Sequence, residues 1–157
     1  MKKKRPEHIG IIPDGNRRWA LAHGMEKQDG YAFGLKPGLQ LLQLAKAEGI
    51  REITYYGFTM DNCKRPGEQL AAFSRACVEA VELLAADGAE LLVLGNRESK
   101  CFPRELLPYT ERTKVGEGGI RVNFLVNYGW QWDLAQIQKD GKPHSREVSR
   151  IDLVILL

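Results

Sequence analysis

Cysteine is scarce in this chain, and its spacing fits neither a disulfide framework nor a zinc site. The 157 residues include three cysteines, Cys63, Cys77 and Cys101, an odd number without a CxxC pair. We therefore expect free, buried thiols. A chain of this length buries roughly 70% of its unfolded surface and folds without disulfides or a structural metal. The sequence accordingly predicts one domain over residues 1–157.

Long apolar runs are absent as well. No segment approaches the ~20 apolar residues that a membrane-spanning helix requires. The basic start, MKKKRPEH, is not followed by the apolar stretch of a signal peptide, because Asp14 interrupts the short run at residues 8–13. These absences predict a cytoplasmic protein.

Excess positive charge is modest. The net charge of +3 is well below that of a dedicated nucleic-acid-binding domain, so no nucleic acid is expected as a partner. Lys2, Lys3, Lys4 and Arg5 form a short basic run that could contact anionic lipid or phosphate. We favour the alternative interpretation, a solvated terminal tail.

Five short apolar runs recur along the chain. They cover residues 9–12, 52–58, 90–94, 121–126 and 152–157. The runs show little alternation of apolar and polar residues, which is typical of strands buried on both faces. We therefore interpret them as buried strands.

Helical patterns separate these runs. One begins near Pro37, ends at Gly49 and carries Leu39, Leu42, Leu44 and Ala45. The next lies between Pro66 and Gly88 and carries an apolar stripe of Leu70, Phe73, Cys77, Val81 and Leu84. Strands that alternate with helices predict an α/β domain with a mostly parallel central sheet flanked by helices. Ligands of such sheets bind outside the carboxyl ends of the strands.

The segment HIGIIPDGNRRWA places polar residues at that position after the first predicted strand. The free N–H groups of a helix start, together with Arg17 and Arg18, suit a phosphate or diphosphate. Asp14 would repel that anion unless a divalent cation lay between them, and Mg²⁺ prefers a carboxylate together with phosphate oxygens. The alternative is a plain turn at Asp14 and Gly15 followed by exposed arginines. Spacing alone leaves both interpretations open.

A second polar segment, TMDNCKRP at residues 59–66, follows the second predicted strand. We expect it to share one cleft with the first segment, because the carboxyl ends of parallel strands meet at one edge. Asn62 can donate and accept hydrogen bonds, and Arg65 can hold a phosphate. A capping role for Asp61 or Asn62 is an equally good interpretation, and Arg65 could instead be an exposed surface residue.

A third segment, NYGWQWD at residues 127–133, follows the fourth predicted strand. Its aromatic residues, Tyr128, Trp130 and Trp132, either line an apolar cleft or pack on the sheet, and we favour packing. No GxGxxG or GxxxxGK[ST] motif occurs in the sequence, which argues against a generic nucleotide-binding domain.

The order of these segments resembles the cis-prenyltransferases, the family of undecaprenyl diphosphate synthase. HIGIIPDGNRRWA is similar to the family's apolar strand followed by Asp-Gly-Asn-x-Arg-Trp-Ala. Further similar segments are GLKPG, YYGFTMDNCKRP, VNFLVNYGWQWD and IDLVI. The resemblance covers nearly the whole chain at family-like spacing, and it implies a cis-prenyltransferase-like fold.

The resemblance also implies a reaction, the Mg²⁺-dependent condensation of isopentenyl diphosphate with an allylic diphosphate such as farnesyl diphosphate. By position, Asp14 would bind Mg²⁺ and assist the departure of diphosphate, and Asn62 would take part in proton removal. Trp19 would pack behind the first loop. The implied substrate-binding residues are Gly15, Asn16, Arg17, Arg18, Trp19, Thr59, Met60, Asp61 and Arg65.

Further implications concern the apolar chain and the partners. The helix that carries Leu70 to Leu84 would border a tunnel for the growing product. The resemblance also implies a homodimer or pairing with a related chain, together with peripheral membrane contact.

Several positions depart from the family pattern. The family's R-x-x-G-H is YAFGL here, so that Tyr31 and Leu35 replace two polar contacts to diphosphate. Cys63 stands where the family commonly has tryptophan. NYGGR has become Asn127-Tyr128-Gly129-Trp130-Gln131. Leu156 falls where the family has an arginine, and the family's C-terminal segment, which supplies isopentenyl diphosphate contacts and a second Mg²⁺ ligand, is missing.

Two hypotheses follow. The first is a prenyltransferase, favoured by the retained Asp14, Asn16, Arg18, Asn62 and Arg65. The second is a catalytically impaired binding or regulatory subunit that pairs with an active synthase, favoured by the departures. An Asp14→Ala variant would separate them, because an enzyme would lose turnover and an associating subunit would tolerate the change.

Overall fold

The centre of the fold is a six-stranded sheet, seen in a computed structural model that describes residues 5–156. The strands are β1 (His8–Ile12), β2 (Glu52–Thr59), β3 (Ala89–Leu94), β4 (Thr113–Lys114), β5 (Ile120–Tyr128) and β6 (Leu153–Leu156). They lie in the order β4-β3-β5-β2-β1-β6. All neighbours are parallel except β3 and β4. The predicted α/β fold with a mostly parallel sheet is confirmed, and the short β4 was not predicted.

The helices are α1 (Asn16–Ala22), α2 (Gly30–Phe33), α3 (Leu35–Ala47), α4 (Gly67–Ala86) and α5 (Trp130–Asp140). Two of them form where the apolar stripes indicated, α3 and α4, and α1 forms after the first strand as expected, whereas α2 and α5 were not predicted. Pro37 lies in the first turn of α3, and Gly88, with a φ of 75°, follows α4 in the left-handed conformation that glycine tolerates. We expected Leu44 to belong to the apolar face of α3, but its side chain is exposed to solvent.

The main core lies between the sheet and the pair α3 and α4. Fully buried side chains there include Leu42, Ile53, Phe58, Val81 and Val122. A smaller cluster of Leu92, Leu94 and Leu125 occupies a separate part of the fold. Burial of these apolar surfaces is the dominant favourable contribution to folding.

The expectation that every strand is buried on both faces is wrong for β6. Leu153, Val154 and Leu156 are 48%, 56% and 67% exposed. The physical reason is position, because β6 forms one edge of the sheet and pairs only with β1 among the described strands. An apolar sequence therefore lies on an open edge.

A buried polar cluster fixes the amino ends of the strands. His8 Nε2 and Thr54 Oγ1 are 2.8 Å apart, and His8 Nδ1 lies 2.9 Å from Ser149 Oγ. Asn123 Nδ2 donates to Glu52 Oε1 at 2.7 Å, and the Ser149 N–H donates to the same oxygen at 3.3 Å. Because buried polar groups are costly when unpaired, this cluster ties the segment before β6 to the sheet.

The predicted free thiols are present, but only Cys77 is buried; Cys63 and Cys101 are half-buried. Lys2, Lys3 and Lys4 lie outside the described residues, and Arg5 is exposed within 4.0 Å of Glu48. Within residues 5–156, no helix combines the length and apolar character needed to cross a membrane.

Candidate active site

A cavity of about 590 Å³ extends from the loop after β1 along α3 and α4. Its walls are largely apolar, and they include Leu39, Leu41, Phe73, Ala76, Ala80 and Leu83. Asp14, Gly15 and Asn16 line the same cavity and bring the first polar segment to it. The helix of the Leu70–Leu84 stripe thus borders the cavity, and an apolar chamber adjoins a polar loop.

The loop after β1 orients Asp14 through local hydrogen bonds. Asp14 Oδ1 accepts from the Gly15 N–H at 2.6 Å, and Oδ2 accepts from Arg18 Nη2 at 3.1 Å. Gly15 has a φ of 94°, a conformation that favours glycine, and α1 begins at the next residue. The Gly15 N–H, followed by the charge and hydrogen bond of Arg18, lowers the pKa of Asp14. Asp14 is therefore an ionised, exposed carboxylate at neutral pH.

Asn16 is held against two glycines of the following segment. A Cβ atom at Gly30 would overlap the backbone oxygen of Asn16. A Cβ atom at Gly34 would lie 2.9 Å from Asn16 Oδ1. Gly30 needs to be glycine because α2 approaches the backbone of the loop so closely, whereas at Gly34 the Asn16 side chain would have to move. Arg17 and Arg18 have exposed side chains that do not line the cavity.

Trp19 forms part of the cavity wall. Trp19 is 40% exposed; its ring stacks on His23 with a centroid distance of 4.1 Å and packs at a tilt of 41° against Phe33 at 4.8 Å. The expectation that Trp19 packs behind the loop is therefore wrong. The reason is that α2 presents Phe33 on the cavity side, where the two rings pack together.

The second polar segment folds mainly onto itself. A 3₁₀ turn covers Met60–Lys64, and Asn62 forms a capping box with Thr59, in which Asn62 Oδ1 accepts from the Thr59 N–H at 2.9 Å. Asp61 pairs with Lys64 at 2.7 Å, and both side chains are at least 80% exposed. Neither Asp61 nor Asn62 caps α4, whose N-cap position is Pro66, so the helix-capping interpretation is wrong for both; Asn62 instead completes the capping box of the 3₁₀ turn.

The second polar segment does not line the cavity. Thr59, Met60, Asp61, Asn62 and Arg65 are all absent from its walls, so the expectation of one common cleft is wrong for these residues. The short 3₁₀ turn directs the side chains of residues 59–62 to one another and to solvent.

Arg65 connects this segment to the cavity wall through Tyr31. Arg65 Nη1 donates to the Tyr31 hydroxyl at 3.1 Å, and its guanidinium carbon lies 4.6 Å from the centre of the Phe73 ring. Both aromatic residues line the cavity. In the sequence, Tyr31 stands out only as the residue that replaces the family's arginine. Its hydrogen bond with Arg65 was therefore not predicted, and no signal in the sequence pointed to it.

The third segment contributes to packing rather than to the cavity. The Trp132 ring packs edge-to-face against Tyr128 and His144, while Trp130 is 62% exposed, which makes the packing prediction wrong for Trp130. The buried Asp133 accepts hydrogen bonds from the Tyr128 hydroxyl at 3.0 Å and the His144 N–H at 2.7 Å. Burial, followed by the charge of Asp133, raises the pKa of Tyr128 to about 12.

Asp14 is the carboxylate that the described cavity wall offers to a metal. Within the part of the chain that the structure describes, no group of three or more His, Cys, Asp or Glu residues is placed to hold a metal ion. Asp14 is a single ionised carboxylate on the cavity wall. One carboxylate with several phosphate oxygens is an ordinary set of Mg²⁺ ligands, so these residues fit an ion that is bound together with a diphosphate.

Comparison with known proteins gives matches over most of the chain. Residues 12–152 match the family described as "Putative undecaprenyl diphosphate synthase". Isoprenyl transferase 2 of Streptomyces coelicolor is 33% identical over 156 residues, which cover 96% of this chain and 60% of the relative. Ditrans,polycis-undecaprenyl-diphosphate synthase of Shewanella oneidensis is 29% identical over 142 residues, 87% of this chain and 51% of the relative. The chain thus spans about half the length of the curated relatives it matches.

A solved structure shares the fold. The lavandulyl diphosphate synthase of Lavandula x intermedia, in complex with dimethylallyl diphosphate, superposes with a TM-score of 0.68 and 20% sequence identity. The match covers 92% of this chain and 67% of that chain. The similarity agrees with the parallel sheet and flanking helices described above.

Proposed function

The chain belongs to the cis-prenyltransferase family, that of undecaprenyl diphosphate synthase, and on that premise we propose a reaction for it. The reaction is the Mg²⁺-dependent condensation of isopentenyl diphosphate with an allylic diphosphate, such as farnesyl diphosphate, in polyprenyl diphosphate synthesis. The observation that carries the proposal is the cavity, because its apolar chamber adjoins the Asp14 loop. A ligand with a charged head and a long apolar tail matches both parts.

In this proposal the first loop holds the allylic diphosphate. The backbone N–H group of Asn16, with the exposed side chains of Arg17 and Arg18, would donate to its oxygens. The Gly15 N–H, which donates to Asp14 Oδ1, would join them only after leaving that carboxylate. Trp19 and the α4 residues of the cavity would contact the isoprenoid tail. Burial of the tail would contribute roughly 25 cal/mol per Å² of apolar area.

Asp14 is the proposed Mg²⁺ ligand and catalytic carboxylate. When bound, Mg²⁺ would neutralise charge that develops on the departing diphosphate. The donors of the loop stabilise the same charge, and loss of one donor of this kind typically lowers the rate by about 10²–10³. The lowered pKa of Asp14 keeps the carboxylate ionised, as a metal ligand must be.

The isopentenyl unit is assigned to the second segment. We assign proton removal to Asn62 and substrate contacts to Thr59, Met60, Asp61 and Arg65. Arg65 is supported by its contact with Tyr31 in the cavity wall. The Asn62 side chain is engaged with Thr59, so its assigned role requires the 3₁₀ turn to rearrange.

The hydrogen bonds between Asn62 and Thr59 favour a second candidate function. In it, the chain is a catalytically impaired subunit that binds an allylic diphosphate and pairs with an active synthase. Tyr31 and Leu35, which replace the family's arginine and histidine, favour it too. For either function we propose a homodimer or a related partner chain. The exposed apolar side chains of β6 support such pairing, because an open apolar edge is stabilised by a partner.

Peripheral membrane contact and the cytoplasmic location also belong to the proposal. Leu21 and Phe33 are 53% and 54% exposed, and Phe33 lies in the cavity wall, which supports contact between this side of the protein and lipid. The cytoplasmic location stays a prediction from the sequence.

The test is a condensation assay of the purified chain with farnesyl diphosphate, labelled isopentenyl diphosphate and Mg²⁺, with products identified by mass spectrometry. Calorimetric titration with farnesyl diphosphate measures binding separately. Asp14→Ala is compared with Glu48→Ala, a matched control because Glu48 is also an exposed carboxylate paired with an arginine, outside the cavity.

Elongated products that disappear in Asp14→Ala and persist in Glu48→Ala would support the enzyme. Mg²⁺-dependent binding without products would support the subunit. Absence of both binding and products would contradict both candidate functions.

A further inference from the structure

A β-bulge interrupts the pairing of β5 with β2 at Asn127. Phe58 pairs with Val126, and the next residue of β2, Thr59, pairs with Tyr128. Asn127 therefore has no partner among the described residues of β2. Its φ of 51° is positive, which sets it apart from every other non-glycine residue in the part of the chain that the structure describes. Asparagine adopts this left-handed conformation more readily than most side chains, and bulges that re-aim a side chain are common beside active sites.

The Asn127 side chain points into the protein and holds two loops together. The residue is only 1% exposed. Its Oδ1 accepts a hydrogen bond from the Cys63 thiol at 3.1 Å, and its Nδ2 donates to the Asn96 carbonyl at 3.1 Å. The Asn96 N–H donates in return to the Asn127 carbonyl at 3.1 Å. Because β5 lies between β2 and β3, this one side chain ties the turn after β2 to the loop after β3.

Both the bulge and the side chain act on the 3₁₀ turn that carries Asn62. The extra residue in β5 sets the register in which Thr59 pairs with Tyr128, and Thr59 forms the capping box with Asn62. Cys63, the residue directly after Asn62, is the one whose thiol binds Asn127. The chain is thus fixed to β5 both before and after Asn62. A rearrangement that frees the Asn62 side chain therefore starts from a set backbone position.

We propose that Asn127 is a positioning residue for the condensation, an inference that rests on the proposed function. Its side chain holds the turn so that Asn62 can take part in removing the proton from the isopentenyl unit. Asn127 does not line the cavity, so it acts through Cys63 and the turn rather than on a ligand. Loss of its side chain should therefore lower kcat and leave the binding of farnesyl diphosphate at the Asp14 loop unchanged.

Asn123 provides a matched comparison for a purely structural role. It is also a buried asparagine of β5, but its side chain donates to Glu52 and Thr54 at the amino ends of the strands. Loss of the Asn123 side chain should destabilise the fold without displacing the turn at residues 60–64. A change that follows from lower stability alone would then appear in both variants.

The experiment compares Asn127→Gly with Asn123→Ala in the full chain. Glycine adopts the positive φ of the bulge readily, so Asn127→Gly removes only the side chain. We expect kcat to fall by up to about 10²-fold in Asn127→Gly, as it does when a catalytic group is misplaced by about 1 Å, with the KM for farnesyl diphosphate unchanged. Amide hydrogen exchange of residues 59–65 should become faster. Asn123→Ala should keep both its kcat and its exchange in this segment.

A second pair of variants, at Cys63, leaves the bulge intact. Cys63→Ala removes the donor to Asn127 Oδ1, whereas Cys63→Ser replaces it with a hydroxyl donor. We expect kcat to fall about two- to five-fold in Cys63→Ala, in keeping with the loss of one neutral hydrogen bond, and to recover in Cys63→Ser. Combining Cys63→Ala with Asn127→Gly should lower kcat by less than the product of the two separate effects, because both remove the same contact.

Equal losses of kcat in Asn127→Gly and Asn123→Ala, or a Cys63→Ser variant as slow as Cys63→Ala, would overturn the positioning role. An unmodified chain that forms no product would contradict the proposed reaction instead, and hydrogen exchange then decides the role of Asn127. Faster exchange of residues 59–65 in Asn127→Gly and Cys63→Ala, restored in Cys63→Ser, would support Asn127 as the residue that positions the turn. Unchanged exchange in these variants would overturn it.

Discussion

The Tyr31 hydroxyl accepts a hydrogen bond from Arg65 Nη1 at 3.1 Å, and this contact joins α2 to the segment between the 3₁₀ turn and α4. Arg65 also lies over the Phe73 ring, with 4.6 Å between the guanidinium carbon and the ring centre. Tyr31, which stands where the family has an arginine, thus positions Arg65 against the cavity wall.

The Tyr31→Phe variant should weaken binding of farnesyl diphosphate if Arg65 contacts the ligand. Loss of a hydrogen bond from a charged donor at a half-buried site costs about 1 kcal/mol, which corresponds to about five-fold weaker binding. Calorimetric titration measures the change. Tyr56→Phe is the control, because Tyr56 packs with the smaller cluster away from the cavity. Equal affinities of both variants and the unmodified chain would rule out this positioning role.

An Ala80→Leu variant should discriminate between long and short allylic diphosphates. Ala80 lies on the α4 side of the cavity, so a larger side chain fills space that we assign to the isoprenoid tail. Overpacking of about 1–2 kcal/mol would weaken farnesyl diphosphate binding about ten-fold. Binding of the shorter dimethylallyl diphosphate should change much less.

The control for this variant is Ala71→Leu, on the exposed side of the same helix. Both affinities should stay near those of the unmodified chain in the control. If Ala80→Leu weakened the two ligands equally, the tail would not occupy this part of the cavity.

Gly30→Ala should destabilise the fold, because the added Cβ atom overlaps the Asn16 backbone oxygen. Overpacking of this kind costs about 1–3 kcal/mol. Gly38→Ala, in α3, meets nothing within 4 Å and should raise the free energy of unfolding by about 0.5–1 kcal/mol through helix propensity. Urea unfolding of both variants measures the difference. A Gly30→Ala variant as stable as Gly38→Ala would contradict the close packing of α2 on the loop.

Glu52 should make stability dependent on pH. Burial acts to raise its pKa, but hydrogen bonds from Ser149 and Asn123 outweigh burial, and the net pKa is lowered. A carboxyl with a lowered folded-state pKa stabilises the fold above its unfolded-state pKa, and this stability is lost as pH falls through the folded-state value. The free energy of unfolding should therefore fall on acidification below the ordinary glutamate range.

The Glu52→Gln variant tests that assignment. It should be about 1–3 kcal/mol less stable than the unmodified chain at neutral pH, and the difference should shrink on acidification. Urea unfolding at several pH values gives the comparison. Glu48→Gln, at a 63% exposed carboxylate, is the control and should change stability little. If the difference in free energy of unfolding between Glu52→Gln and the unmodified chain did not vary with pH, ionised Glu52 would be excluded as the source of the pH dependence.

The strands and the two long helices could be predicted because their signals are local. Apolar runs placed β1, β2, β3 and β5, and the Pro66 to Gly88 stripe placed α4. The position of Asp14 at the end of β1 follows from the same local pattern. By contrast, β4 is too short to have a recognisable pattern, and it pairs only through contacts with β3.

The sequence by itself thus determined which segments form strands and helices, and that the Asp14 loop follows β1. Apolar spacing, proline and glycine act on neighbouring residues, so their effects can be predicted without a fold. Only the tertiary structure decided that Arg65 meets Tyr31, that β6 lies on an open edge and that small residues of α4 face a cavity. These features depend on strand order and on the distance between helices, which arise when segments far apart in the chain pack together.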